Sequence, residues 1–216
     1  QHNSGILHNA TLIRDLLDTG RIASPKFITS SFTDFENING GELLEHLANE
    51  YNKNGKQGNV VICYSNKQAN RYNNGIRSRV LYSEEELSVG DYLMVTRNSY
   101  FWVADMPEIG FIANGDVVEV TRIGKRYDMY GFRFADVCLR FVDYEDVELD
   151  CKIFLETLSI ETASFSSERN RELFHAVSED YIDIRNKKER WKKIKENPYF
   201  NALQVKYAYA LTCHKA

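Results

Sequence analysis

Apolar positions recur along this chain at two different periods, and the period changes near residue 83. Before it the spacing is helical. Ile6, Leu7, Ala10, Ile13, Leu16 and Leu17 fall on one face of a helix that Ser4 can cap and Gly20 can stop. Pro25 and an extended run at 26–29 follow. Leu43, Leu44, Leu47, Ala48 and Tyr51 form a second stripe over 41–53, ended by Gly55 and Gly58. Residues 59–64 are short, β-branched and apolar at successive positions, the look of a parallel strand covered on both faces. Residues 67–81 return to helical spacing, and helix, strand, helix in this order predicts an α/β unit.

Beyond the acidic run at 84–86 the apolar runs shorten. Val89-Gly-Asp91 opens a strand at 92–97, and Asn114-Gly115 between apolar runs predicts a two-residue hairpin. Further strands are expected at 117–123, 129–134, 137–142 and 147–155. Five short strands in about 65 residues point to a small antiparallel barrel. Tyr130, Phe132 and Phe134 alternate and are assigned to its core. From Ser166 the pattern is helical again, with Leu173, Phe174, Val177 and Tyr181 on one face. A basic helix follows up to Pro198, with Trp191 and Ile194 as its docking ridge, and a strand is expected at 205–211. The pattern contains no internal repeat.

Composition narrows the class. With 216 residues, 43% of them hydrophobic, the chain can bury a substantial core. No run approaches the roughly 20 apolar residues of a membrane helix, so no membrane partner is expected. Gln1-His2-Asn3-Ser4 lacks the basic-then-apolar order of a secretion signal, and Gln1 is not a natural start, so the chain reads as part of something larger. Cys63, Cys138, Cys151 and Cys213 form no Cys-x-x-Cys pair, which favours buried free thiols in a reducing, cytoplasmic setting. The net charge of −4 argues weakly against nucleic acid. Its distribution argues the other way: residues 143–161 are acidic, whereas 185–195 hold seven basic residues in eleven.

Three segments carry a family resemblance: Gln1 with Ser4-Gly5-Ile6-Leu7; Val60-Val-Ile-Cys-Tyr-Ser-Asn66 followed by Ala69, Asn73, Ile76 and Arg77; and Tyr207-Ala-Tyr-Ala-Leu-Thr-Cys-His-Lys-Ala216. In that order they resemble superfamily 1 DNA helicases of the RecD/Pif/Dda group (RecD-like, exodeoxyribonuclease V alpha-like). The first looks like the end of the family's Arg-Gln element, the second like a strand and helix of the second motor domain, and the third like motif V. Between the second and third the family inserts an SH3-like barrel, whose wording Val89-Gly-Asp91 and Ala113-Asn-Gly-Asp116 fit. The resemblance therefore implies an α/β plus β architecture. A partial RecA-like α/β domain at 1–82 is interrupted by a small antiparallel SH3-like barrel at 88–158 and a helical insertion at 164–200. It resumes at 203–216.

No Gly-x-x-x-x-Gly-Lys-Ser/Thr occurs, so a P-loop cradle for nucleotide phosphates is missing from the sequence. Gly55-Lys56 and Gly124-Lys125 are followed by Gln57 and Arg126 and read as turns. The resemblance implies that ATP and magnesium belong to the first motor domain of a longer parent chain. This chain would hold no cofactor and be inert toward ATP alone. The partners implied are single-stranded DNA and that first motor domain.

Thr212, His214 and Lys215 stand where the resemblance puts a DNA contact, the alternative being a capped turn with a surface lysine. Asn66 follows a strand, where α/β proteins place ligand contacts, or else it caps the next helix. Arg77 reads as structural, paired with a carboxylate or packed along its stem. Arg97, Tyr100 and Trp102 combine charge with rings as single-strand binders do, although Trp102 reads as core. Lys187, Lys188, Lys192 and Lys193 are a solvated helix face or a contact to the DNA backbone. His8, His46 and His175 have no metal-ligand spacing, and no Ser/His/Asp or paired-carboxylate arrangement stands out. The expected function is that of an ATP-dependent DNA helicase fragment contributing part of a single-strand channel. The alternative is a stand-alone nucleic-acid-binding or protein-interaction module without a motor.

Overall fold

Ser4 starts the first helix by accepting the Leu7 amide at 3.3 Å, and α1 runs Gly5–Asp18. The computed structural model describes residues 4–20, 24–106, 109–144 and 147–214, and the chain divides into two compact units, 1–47 and 48–216. In the first unit Asp34 takes the Ser4 hydroxyl and the Gly5 amide at 2.6 and 2.7 Å, and these bonds hold its carboxyl below the usual range. The buried Asn9 side chain donates to the Gly5 and Ile28 carbonyls and accepts from the Ile28 amide. The apolar stripe read from the sequence is not the packed face, because Ile6, Leu7, Ile13 and Leu17 are all exposed. The helix turns inward Gly5 and Asn9, with Leu12 and Leu16 half-buried, so a hydrogen-bonded amide anchors the face that packs.

Helix α2 (Leu43–Asn54) spans the division between the units. In the second unit, β1 (Val61–Cys63) leads into α3 (Asn66–Gly75) and a π-helical turn, Ile76–Val80. The expectation of a strand covered on both faces fails for β1: Cys63 is buried, but Val60, Ile62 and Tyr64 are exposed. One face has α3 against it, through Cys63, Ala69 and Ala210, and the other is bare. β1 pairs in parallel with β7 (Ala210–Thr212), in the register Val61–Ala210, Ile62–Leu211 and Cys63–Thr212.

The larger sheet is antiparallel and five-stranded, in the order β5-β4-β3-β2-β6. Its strands are β2 (Tyr92–Val95), β3 (Val117–Met129), β4 (Phe132–Phe141), β5 (Glu148–Phe154) and β6 (Val205–Tyr207). The segments expected separately at 129–134 and 137–142 do not exist as such: Met129 ends β3, and the rest is one continuous strand, β4. The hairpin turn is Tyr130-Gly131, both at positive φ (54° and 74°), as a two-residue turn matching the strand twist requires. Tyr130 is therefore a turn residue whose ring packs on Tyr199, while Phe132 and Phe134 are buried as expected. Asn114-Gly115 is not a two-residue hairpin. It lies at the end of a long connection from β2 to β3, where the Gly115 amide returns to the Val95 carbonyl at 2.8 Å. Gly124-Lys125 is not a turn either, but sits inside β3 at a register shift between Ile123 and Arg126.

The strands do not close into a barrel. Edge strand β5 meets the segment before β6 through one isolated parallel bridge, Ile153–Leu203. The fifth strand comes from the C-terminal segment, so residues 88–158 supply four strands where five were expected. Helices α4 (Ser167–Glu179) and α5 (Lys187–Lys195) share a core with the sheet. Leu173, Val177 and Ile194 pack with Phe132, Phe134 and Phe154. No helix among the described residues is long and apolar enough to cross a membrane.

The run 205–211 was expected as one strand and is two. β6 joins the antiparallel sheet beside β2, and β7 joins the parallel pair beside β1. At this junction Arg77 binds Asp91 through Nε and Nη2 at 2.9 and 2.8 Å and lies 4.3 Å from the Tyr207 ring centroid. Tyr209 donates to Asp91 at 2.9 Å.

Candidate nucleic-acid interface

The first candidate place is the C-terminal end of the parallel pair. Asn73, buried on α3, donates to the Ala210 carbonyl at 2.9 Å and accepts the Ala210 amide at 2.8 Å, across 137 positions of sequence. Its amide thus makes both bonds a third strand would have made, and holds α3 against β7. The Cys213 amide reaches the Cys63 carbonyl at 3.0 Å and extends the register past Thr212. Thr212, half-buried, is the last residue of β7, and His214, exposed, lies just past it, at the same end of the parallel pair as Asn66 and the N-terminus of α3. Lys215 falls outside the described residues. Asn66 is not the helix cap; Ser65 is, its hydroxyl accepting the Gln68 amide at 3.3 Å. That leaves the Asn66 amide half-buried at the first helical position, without a hydrogen bond among the described residues.

The second place is a cleft of about 760 Å³ between the loop after β2, α4, α5 and the segment before β6. Arg97, placed in the binding set from the sequence, lies here, its guanidinium bound to Asn170 Oδ1 at 3.2 Å. Asn170 is itself fixed by the Phe165 and Ser166 carbonyls and by Gln204. Tyr100 is exposed and stacks on Phe111 at 5.2 Å and 25°. Trp102 is half-buried and donates to the Asn201 carbonyl at 2.7 Å, closer to a structural role than a stacking one. Trp191 stands edge-on to Phe174 and Phe200 at 5.6 and 6.3 Å, with Lys195 Nζ 5.1 Å from its ring centroid.

Lys187, Lys188, Lys192 and Lys193 are exposed on α5 and do not line this cleft. Lys192 and Lys193 pair with Glu196 at 3.8 and 3.7 Å, exposed contacts of small energetic weight. The cations of this region that do line the cleft are Lys195, the last residue of the basic run read from the sequence, and Arg171, which sequence reasoning passed over. A signal was present: Trp191 and Lys195 are four apart on one helix, as Arg171 and Phe174 are three apart on the other.

Nucleophilic chemistry finds no support in the three buried thiols, while Cys213 is free and exposed. Cys63, Cys138 and Cys151 are free and buried, and burial pushes each thiol up, away from the thiolate. Arg77 is structural as expected, sealed with Asp91 at side-chain exposures of 7% and 3%. No family model matches the chain, and no curated protein matches it.

Proposed function

We propose that this chain is part of the second motor domain of a superfamily 1 DNA helicase, where it contributes contacts to single-stranded DNA. The observation that carries this reading is the parallel pairing of β1 with β7. It sets Thr212 on the last position of β7, and Asn66 and His214 beyond the adjacent parallel strand ends, beside a helix N-terminus, the position where α/β sheets place ligand contacts. Hydroxyl, imidazole, amide and free helical N–H groups there suit a phosphodiester and read no base sequence. The Thr-Cys-His-Lys-Ala run supports the reading, because the segment that resembles motif V is the one that pairs with β1. In that assignment the five-stranded sheet takes the place of an SH3-like insertion, and the β1–β7 pair is the part of a RecA-like sheet present here.

Neither Gly-Lys pair of this chain is placed as a P-loop lysine is. Gly55-Lys56 follows α2, and Lys56 is held by the Gly90 carbonyl at 2.6 Å. Gly124-Lys125 lies within a strand. Any nucleotide chemistry of the whole protein belongs to a first motor domain.

Fluorescence anisotropy with a labelled oligo-dT is the test. The chain is expected to bind it weakly, with salt dependence steepening by roughly 0.7 in log–log slope for each phosphate neutralised. Thr212→Ala/His214→Ala should weaken binding by about fivefold to tenfold, the size of one or two lost phosphate contacts. Unchanged binding by that variant overturns the strand-end assignment. A gene that encodes no P-loop ahead of this segment and no Gln-Gly after Ala216 overturns the helicase reading itself.

A further inference from the structure

We infer that the cleft between α4, α5 and the loop after β2 is a second single-strand site, one that stacks an unpaired base on Trp191 and holds its flanking phosphates with Arg97, Arg171 and Lys195. It takes its ligand class from the proposed function but stands on different residues; the cleft and the strand ends have no residue in common.

Charge is the first argument. The protein carries a net charge of −4 with 31 acidic residues, yet among the described residues no Asp or Glu lines this cleft. None of Arg97, Arg171 and Lys195 enters an ion pair among the described residues, whereas Arg122, Arg126, Arg133, Arg140 and Arg169 all do. Three uncompensated cations around one concavity on an acidic protein create a local field for an anion.

Ring geometry is the second. Trp191 is 43% exposed, although Phe174 and Phe200 brace it. Because both neighbours meet it at steep angles, 62° and 71°, neither is stacked face to face on the indole. Lys195 Nζ lies over the same ring, 5.1 Å from its centroid, so an aromatic surface and a phosphate-binding cation come from one helical turn. The volume of about 760 Å³ is within the range that holds a drug-sized ligand, and a nucleotide is of that order. An acidic peptide would satisfy the cations and leave the indole idle; a single strand uses both.

The test reads the indole directly. In the Trp102→Phe variant Trp191 is the sole tryptophan, and short oligo-dT should quench its fluorescence. An abasic oligonucleotide of equal length, carrying the same charge, should not. Arg171→Gln/Lys195→Gln should weaken the dT-dependent quench by roughly tenfold, the size of a lost charge-assisted phosphate contact. Thr212→Ala/His214→Ala should leave it unchanged. Quenching by the abasic strand, or oligo-dT binding by anisotropy without any quench, overturns the cleft site and leaves the strand-end reading standing. A quench that survives Arg171→Gln/Lys195→Gln also overturns it. Quenching lost in those variants and kept in Thr212→Ala/His214→Ala supports the cleft, whatever becomes of the helicase assignment.

Discussion

Asp91 receives Arg77 in a two-point ion pair that also ties together the chain's two sheets. Nε and Nη2 of Arg77 reach the two carboxylate oxygens at 2.9 and 2.8 Å. The Tyr209 hydroxyl and the Ser88 amide complete the carboxylate at 2.9 and 2.7 Å. Arg77 comes from the π-turn after α3, Asp91 precedes β2 in the antiparallel sheet, and Tyr209 precedes β7 in the parallel pair. Removing one partner of a buried pair strands the other charge away from water, at a cost of about 3–5 kcal/mol. Arg77→Ala should lower stability by that amount in urea denaturation. Arg77→Lys should recover little, because an ammonium cannot span both carboxylate oxygens. A loss below about 1 kcal/mol for Arg77→Ala would show the pair to be solvated and incidental.

Asn73→Ala removes the only side chain bonded to both backbone groups of Ala210 among the described residues. Each buried backbone group left unsatisfied costs about 1–3 kcal/mol. The effect should be local as well as global. Hydrogen exchange at the Ala210 and Val61 amides should accelerate well before that of the Val118 and Val120 amides in β3. Uniform acceleration across both sheets would mean that the parallel pair has no separate stability.

Two glycine-to-alanine changes should move stability in opposite directions. Gly131 sits at φ 74° in the β3–β4 turn, so Gly131→Ala should cost about 1 kcal/mol or more. Gly75 is helical at φ −64° with open space where a Cβ would go, so Gly75→Ala should gain about 0.5–1 kcal/mol. Thermal melting of the two variants side by side checks both signs.

Stability should rise and then fall above neutral pH. Burial, with no carboxylate partner, lowers Lys206 to about 8 in the folded chain, against about 10.4 unfolded. Between those values the unfolded state binds the extra proton, so the contribution of Lys206 to stability increases with pH across that window. Burial raises Tyr51, Tyr127, Tyr130 and Tyr207 to about 12, against about 10 unfolded. The unfolded state loses the protons of the buried Cys63, Cys138 and Cys151 thiols first from about pH 8.5, and those of the tyrosines first from about pH 10, so stability decreases above the first of these. Denaturant midpoints taken from pH 7 to 11 should pass through a maximum. Lys206→Met should remove the rising limb and keep the falling one; a rising limb that persists would assign it to another group.

What the sequence determined by itself was local. Ser4 and Ser166 start α1 and α4 as their caps, the period of Leu173 and Val177 sets the inner face of α4, and the alternation of Phe132 and Phe134 puts both into the core. Caps and periodicity act between residues a few positions apart, so they are written in the order of the chain. Tertiary structure decided everything that depends on a distant partner. A short apolar run such as 205–211 carries no label for the strand it will join, and here it splits between two sheets. Tyr130 is a poor turn residue by type, yet its ring rests on Tyr199, and that contact makes the positive φ tolerable. The stripe on α1 shows that helical spacing marks an apolar face without saying whether anything covers it. The cleft is the clearest case: its cations lie at 97, 171 and 195, and none of the described acidic residues lines it, although acidic residues dominate the linear count. Net charge is a sum over the chain, whereas an electrostatic field depends on where folding places each charge.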